Sequence, residues 1–216
     1  MDCPLTSSAL NKPLILDFKQ LIYLLQAETL KATDELLRVL KITLIKNLNG
    51  FRREWLLVQV IEPASRTVMY FRMERGLWPV TDTITRTDGK LNQSDVVMEE
   101  LKFVGDLDSE ENPRLADIAA LATASEDLGI IYTLSPYHCY RFAGLVFGAC
   151  ATLPFKHVFL VHETRLKAGY FGWMSLVEIK EGEKRALARQ FRPSHEARCP
   201  TAKKPSPKRS YQLRFP

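Results

Sequence analysis

The fold is decided by residues 36–75, LLRVLKITLIKNLNGFRREWLLVQVIEPASRTVMYFRMER, which contain three segments typical of β-strands. In the first segment Leu40, Ile42 and Leu44 alternate with polar residues, and this period of two favours a half-buried strand. NLNG and EPAS are turn sequences, EWLLVQVI between them is strongly apolar, and residues 68–74 alternate again. We therefore predict a three-stranded antiparallel meander.

Helical periodicity is present before, within and after this meander. Residues 14–30 are predicted to form an amphipathic helix with Asp17 as its N-cap, on the stripe Phe18, Leu21, Ile22 and Leu25. A helix over residues 34–46 is the alternative to the first strand, because leucines recur there at helical spacing as well. Residues 114–129, RLADIAALATASEDLG, also have a helical stripe, and Gly129 is a suitable C-cap.

The rest of the body reads mainly as β-structure. Residues 79–93 are polar and read as a loop with an Asp-Gly turn, and residues 95–105 are predicted to form a fourth strand. Residues 155–165 fit either a strand or a helical extension, and residues 168–179 are predicted to form one further strand. Residues 10–190 are therefore predicted to be a single α+β domain, an antiparallel sheet packed against a helix pair.

Composition is that of an ordinary soluble globular protein, with 46% hydrophobic and 25% charged residues in a chain of 216. The first residues do not read as a secretory signal, and no apolar run approaches the ~18 residues that span a bilayer. We expect an intracellular protein, cytoplasmic or nuclear. Four scattered cysteines, Cys3, Cys139, Cys150 and Cys199, indicate neither a disulfide framework nor a zinc site. No metal or cofactor is predicted.

The positive charge of the chain belongs to its C-terminal end. Residues 184–216 hold ten of the 30 Lys and Arg residues and one of the 25 Asp and Glu residues, so they carry +9 and the rest −4. Residues 191–216 are rich in Pro, Ser, Lys and Arg and are predicted to be a disordered tail. We expect a solvated flexible tail, and weak contact with nucleic acid or anionic surfaces through its basic cluster is the alternative. The cluster comprises Lys203, Lys204, Lys208 and Arg209.

Cys139 is the one candidate catalytic residue. It lies in residues 132–150, YTLSPYHCYRFAGLVFGAC, where Ser135 is a suitable N-cap and Pro136 a suitable first helical residue. A thiol near a helix N-terminus is stabilised as thiolate, which is how many folds prepare a cysteine nucleophile. Cys139 also lies on the apolar face of this helix, so a small buried hydrophobe is the alternative. That face comprises Cys139, Phe142, Ala143, Val146, Phe147 and Cys150.

The same stretch resembles the pattern Tyr-x-Leu, three residues, Asn/Gln-Cys-Tyr-Trp-Phe-Ala of a group of uncharacterised fungal proteins. Those proteins look like distant relatives of the permuted papain-like fold of NlpC-type and lecithin:retinol acyltransferase-like proteins. The resemblance covers roughly residues 42–147 and implies a papain-like architecture with a cysteine at the start of a helix. It also implies a histidine on an earlier strand, to which EWLLVQV, residues 54–60, would correspond.

The sequence departs from that pattern at the residues that catalysis by a thiol would require. Glu54 stands where the histidine is expected, and no histidine precedes His138, itself in place of the Asn or Gln. His157 and His162 are the other candidate bases, and as strand residues five apart they would face opposite sides of a sheet. We therefore expect a degenerate, non-catalytic protein that acts by binding or by contact with an unidentified protein partner. A cysteine-dependent hydrolase or acyltransferase with Cys139 as nucleophile is the alternative.

Overall fold

The described part of the chain is an α+β fold in which three helices and a seven-stranded sheet carry the core. The structure is a computed structural model that describes residues 15–17, 37–49, 53–75, 82–106, 111–127, 138–162, 170–171, 174–175 and 179–190. The strands are β1 (Ile15–Asp17), β2 (Arg38–Asn47), β3 (Glu54–Glu62), β4 (Thr67–Arg75), β5 (Asp82–Thr87), β6 (Asp95–Phe103), β7 (His157–Val161), β8 (Tyr170–Phe171) and β9 (Met174–Ser175). The helices are α1 (Leu115–Asp127), α2 (His138–Cys150) and α3 (Glu181–Gln190).

Seven strands form one antiparallel sheet in the order β1-β5-β4-β3-β2-β6-β7. The predicted meander is confirmed as β2, β3 and β4, which pair in sequence order at the centre of this sheet. The alternative helix over residues 34–46 is wrong. Val39, Ile42, Thr43 and Ile45 are β-branched residues that favour strands, and β2 pairs along most of its length with strands on both sides.

Two predictions in the first half of the chain need correction. The helix predicted over residues 14–30 does not begin there, because Ile15–Asp17 forms β1 and pairs with β5, while residues 18–30 lie outside the described residues. The polar loop predicted over residues 79–93 contains β5. This strand escaped the hydrophobic pattern because Ile84 is its one apolar residue, and threonines occupy most other positions.

The second half of the chain confirms both predicted helices, as α1 and α2. Residues 155–165 contain β7, so the strand interpretation is correct and the helical extension is wrong. Where one strand was predicted over residues 168–179, β8 and β9 pair with each other as two short strands. Helix α3 was not predicted. Ser135, Pro136 and the tail at 191–216 lie outside the described residues.

The two faces of the sheet differ in what covers them. One face, called the helix-bearing face here, packs its apolar side chains against α1, α2 and α3 and forms the main core. On the opposite face a second, smaller cluster is formed by Ile45, Trp55 and Leu57, with Tyr70 beside it. A bulge at Leu40 lets both Val39 and Ile42 reach the helix-bearing face although they are three residues apart.

Helix α2 is the central helix of the core. Every residue from Phe142 to Cys150 is buried, so the predicted apolar face is confirmed from Phe142 onward, and the other faces are covered as well. The sheet, α1 and α3 all contact α2. Two glycines four residues apart allow close approach, because a Cβ on Gly144 would lie 2.6 Å from Ile179 and one on Gly148 would lie 2.6 Å from Lys184. Arg141 and Glu183 join α2 to α3 by an ion pair.

Two glycines test how tightly this fold is packed. An alanine Cβ at Gly105 would lie 2.5 Å from the Glu111 Cβ and 2.9 Å from the Glu111 carbonyl carbon, where neither atom has room to move. We expect Gly105→Ala to lower the free energy of unfolding by about 1–3 kcal/mol in urea denaturation. The matched control is Gly182→Ala in α3, whose Cβ would meet nothing within 4 Å. It should lose no stability, and equal losses in both variants would contradict this account.

Candidate functional site

The candidate site is the N-terminal end of α2 and the strands beneath it. Cys139 is the second residue of α2, and its side chain lies outside the described residues. Phe142, one turn further along, is buried, and its ring centroid lies 4.8 Å from the Arg75 guanidinium carbon at the end of β4. The first turn of α2 is therefore held over the end of the sheet where β3 begins and β4 ends.

A row of buried charged side chains lies on the helix-bearing face at this end of the sheet. Lys46 and Glu54 are register partners on β2 and β3, and Arg75 follows Met73 by two residues on β4. The Lys46 ammonium lies 2.9 Å from a Glu54 carboxylate oxygen, and both side chains are 0% exposed. Arg75 is also buried and is in register with Asp82 of β5. We call Lys46, Glu54 and Arg75 the buried charged row.

The buried charged row follows directly from strand alternation. Lys46 comes two residues after Leu44, Glu54 two residues before Leu56, and Arg75 two residues after Met73, so each continues the inward-facing series of its strand. Because charges are costly to bury alone, a cation and an anion at neighbouring inward positions must pair. Of these three residues only Glu54 was considered from the sequence. Lys46 and Arg75 were missed, although counting by twos from the buried residues Leu44 and Met73 identifies both as inward-facing.

Neither candidate histidine base lies near the buried charged row. Helix α2 crosses the sheet, since Phe142 contacts Arg75 of β4 whereas the Phe147 ring centroid lies 6.1 Å from that of Phe159 on β7. Cys139 precedes Phe147 by eight residues, which is roughly 12 Å along a helix. The strand that carries His157 is therefore at the far end of α2 from Cys139. The structure therefore does not bring His157 or His162 to the first turn of α2.

The two histidines have structural contacts of their own, on opposite faces of the sheet as predicted. The ring of His157 packs edge-on against Phe103, and its Nδ1 lies 2.8 Å from the Phe155 carbonyl oxygen. His162 lies on the other face, where its Nε2 is 3.7 Å from a Glu100 carboxylate oxygen. Both positions are explained by local packing and charge.

Glu99 is partly buried and Glu100 is buried, although both side chains are carboxylates. Burial raises the pKa of the Glu99 carboxyl, and the nearby charge of Lys184 only partly opposes this. Burial also acts to raise the pKa of Glu100, but the hydrogen bond and charge of Lys41, with Lys102 and His162 nearby, lower it overall. The ion pairs of Glu100 with Lys41, Lys102 and His162 form a structural network that joins β2, β6 and the end of β7.

Aromatic and cationic side chains stack on the opposite face of the sheet. The guanidinium carbon of Arg72 lies 4.3 Å from the ring centroid of Trp55, and Arg72 also pairs with Glu74 at 2.7 Å. Trp55 is buried, and its indole nitrogen has no hydrogen-bond partner among the described residues. This stack stabilises the centre of the sheet from the side that α2 does not cover.

Cys150 is the described cysteine whose environment is fully known, and it is inert. It is buried at the C-terminal end of α2, and burial, with a smaller contribution from the charge of Asp117, raises the pKa of its thiol to about 12. A thiol with that pKa is almost wholly protonated at neutral pH and is a poor nucleophile. Cys150 therefore acts as a small hydrophobe of the core.

No family model matches this chain, and neither does any curated protein or solved structure in the comparisons made. Within the described residues no group of three or more His, Cys, Asp or Glu side chains is placed to hold a metal ion. None of the helices in that part of the chain has the length and apolar character needed to cross a membrane. The basic cluster of Lys203, Lys204, Lys208 and Arg209 lies outside the described residues and stays a prediction.

The Lys46–Glu54 pair makes a direct test of the buried charged row. Lys46→Met leaves the Glu54 carboxylate in the core without its lysine partner, so we expect the free energy of unfolding to fall by about 3–5 kcal/mol. The double variant Lys46→Met/Glu54→Leu removes both charges, so its free energy of unfolding should fall by less. Urea denaturation followed by circular dichroism measures both.

The control for this prediction is Lys90→Met. Lys90 also pairs with a carboxylate, that of Asp88 at 3.3 Å, but both side chains are largely exposed. Its loss should leave the free energy of unfolding unchanged, because water screens such pairs. If Lys46→Met costs no more than this control, the pair at Lys46 and Glu54 does not stabilise the site.

Proposed function

We propose that this chain is a non-catalytic protein that acts by binding or protein interaction on a degenerate, permuted papain-like framework. The observation that carries the proposal is the ion pair that Glu54 makes in the core. Glu54 occupies the strand position at which the resembling enzymes carry a histidine, and it is a carboxylate paired with Lys46 at 2.9 Å in the core. The Glu54 side chain therefore has a structural role.

A carboxylate at residue 54 is a poor replacement for the histidine of a thiol enzyme. The base must accept the thiol proton, and the pKa of an ordinary glutamate, ~4.3, is about four units below that of an ordinary thiol. Negative charge beside a thiol also disfavours thiolate. The 2.9 Å contact with Lys46 also commits a Glu54 carboxylate oxygen to a structural partner.

The framework that remains is well suited to presenting a surface. Helix α2 is buried along nine consecutive residues, and Arg75 of the buried charged row contacts its Phe142. A rigid core of this kind holds exposed side chains in fixed positions. Recognition by the surface is therefore the function we propose.

One observation favours a cysteine-dependent hydrolase or acyltransferase as the second candidate. Arg75 contacts Phe142, so a guanidinium lies one helical turn from the position of Cys139. A cation near a helix N-terminus lowers the pKa of a thiol and favours the thiolate. In this alternative Cys139 is the nucleophile and attacks an acyl carbon, and no described side chain is assigned as its base.

Alkylation of the thiols separates the two candidates. In a Cys3→Ser/Cys199→Ser background, only Cys139 and Cys150 remain to react with iodoacetamide. For a non-catalytic protein we expect the labelling rate of Cys139 to rise about 80-fold from pH 6 to pH 8, as the thiolate fraction of a group with pKa ~8.5 does. Mass spectrometry of the labelled peptides measures the rate.

Cys150 provides the internal control in the same sample. Its pKa of about 12 and its burial should keep it unlabelled in the folded protein at both pH values, and urea should expose it. Cys139→Ser confirms which site reacts. Rapid labelling of Cys139 at pH 6, at a rate close to that at pH 8, would refute the non-catalytic proposal and favour the thiol enzyme.

A further inference from the structure

Strand β7 is an edge strand with an unusual surface. It pairs with β6 on one side, and no strand among the described residues pairs with its other side. Three of its five side chains are large, apolar and exposed: Val158 at 46%, Phe159 at 47% and Val161 at 66%. The described part of the chain exposes four other large hydrophobic residues, and one of these, Val104, hydrogen-bonds through its N–H to Lys156 immediately before β7.

Strand β7 lacks the features that usually protect the edge of a sheet, whereas the strand at the opposite edge is protected by its shortness. Natural sheets block edge pairing with very short strands, charged side chains, prolines or bulges. Strand β1, at the other edge, has three residues. Strand β7 is longer, contains no Lys, Arg, Asp, Glu or Pro, and pairs with β6 in an unbroken register.

The hydrogen bonds to β6 define which backbone groups of β7 face outward. The Val104 N–H donates to the Lys156 carbonyl oxygen at 3.1 Å, and the His162 N–H donates to the Met98 carbonyl oxygen at 3.0 Å. Backbone groups alternate along an antiparallel strand, so the even-numbered residues of β7 face β6. The N–H and C=O groups of His157, Phe159 and Val161 therefore face away from the sheet.

We propose that β7 pairs antiparallel with β7 of a second copy of this chain, about a two-fold axis at Phe159. The axis places Phe159 opposite Phe159 and His157 opposite Val161, and all three residues carry outward-facing backbone groups. The central pair exchanges two hydrogen bonds and each flanking pair two more, six in all. This proposal uses β7 alone and is independent of the proposed function.

A second copy fits this edge because the strand is complementary to itself. A two-fold contact uses the same surface on both subunits, so an uncharged apolar strand meets an uncharged apolar strand. Side chains of Val158 and Leu160 from the two copies come together on one face and those of Phe159 on the other. Just outside the strand Lys156 comes opposite His162, so no two lysines or two carboxylates meet.

Analytical ultracentrifugation of the full chain tests the proposal. We expect the wild-type chain to form a concentration-dependent dimer. Val161→Pro removes an outward-facing N–H and leaves the hydrogen bonds between β7 and β6 in place, so it should raise the dimer Kd by about tenfold or more with little change in Tm. Val161→Lys should have the same effect by placing two charges at the contact.

Val68→Lys is the matched control, because Val68 is an exposed valine (41%) on β4, away from β7. It should dimerise like the wild type. The proposal is overturned if the wild-type chain stays monomeric at on the order of 100 μM, if it forms species larger than a dimer, or if both Val161 variants dimerise normally. Should Val161→Pro prevent folding, Val161→Lys alone decides, because its exposed side chain leaves the backbone unchanged.

Discussion

The core must accommodate buried charges at the end of the sheet against which α2 packs. From Phe142 onward the helix is buried on all sides, and Phe142 contacts Arg75 at the sheet end that also carries Lys46 and Glu54. Lys46 and Glu54 are fully buried, and charges are costly to bury alone, so their 2.9 Å contact is the constraint on which this end of the core depends. The position of α2 then fixes where α1 and α3 pack.

The same pairing governs how the candidate site is interpreted. On the proposed papain-like framework the strand position of Glu54 would carry a histidine available to a thiol, and an available base must remain uncommitted to structural partners. A glutamate held by a buried lysine cannot satisfy that requirement. The alternative candidate bases belong to the other end of α2, where β7 and its histidines are packed against Phe103 and Glu100.

The two edges of the sheet differ in ways that a hydrophobicity pattern alone does not reveal. At one edge β1 is too short to offer a template for pairing, whereas at the other β7 exposes apolar side chains and outward-facing backbone groups. The sequence of residues 155–165 fits a strand or a helical extension equally and gives no indication that its surface is exposed. Only its position at the end of the strand order makes its exposed valines and phenylalanine a feature of the molecule.

The sequence by itself determined the elements whose side chains alternate or recur clearly: the meander of β2, β3 and β4, and the buried helices α1 and α2. Those patterns depend on local periodicity, which tertiary contacts reinforced. Strand β5 was decided by its neighbours, because a strand with one apolar residue, Ile84, forms only when β4 and β1 supply its hydrogen bonds. The pairing of Lys46 with Glu54 was also decided in three dimensions, since a charged residue at an inward position is buried only when the rest of the fold covers it.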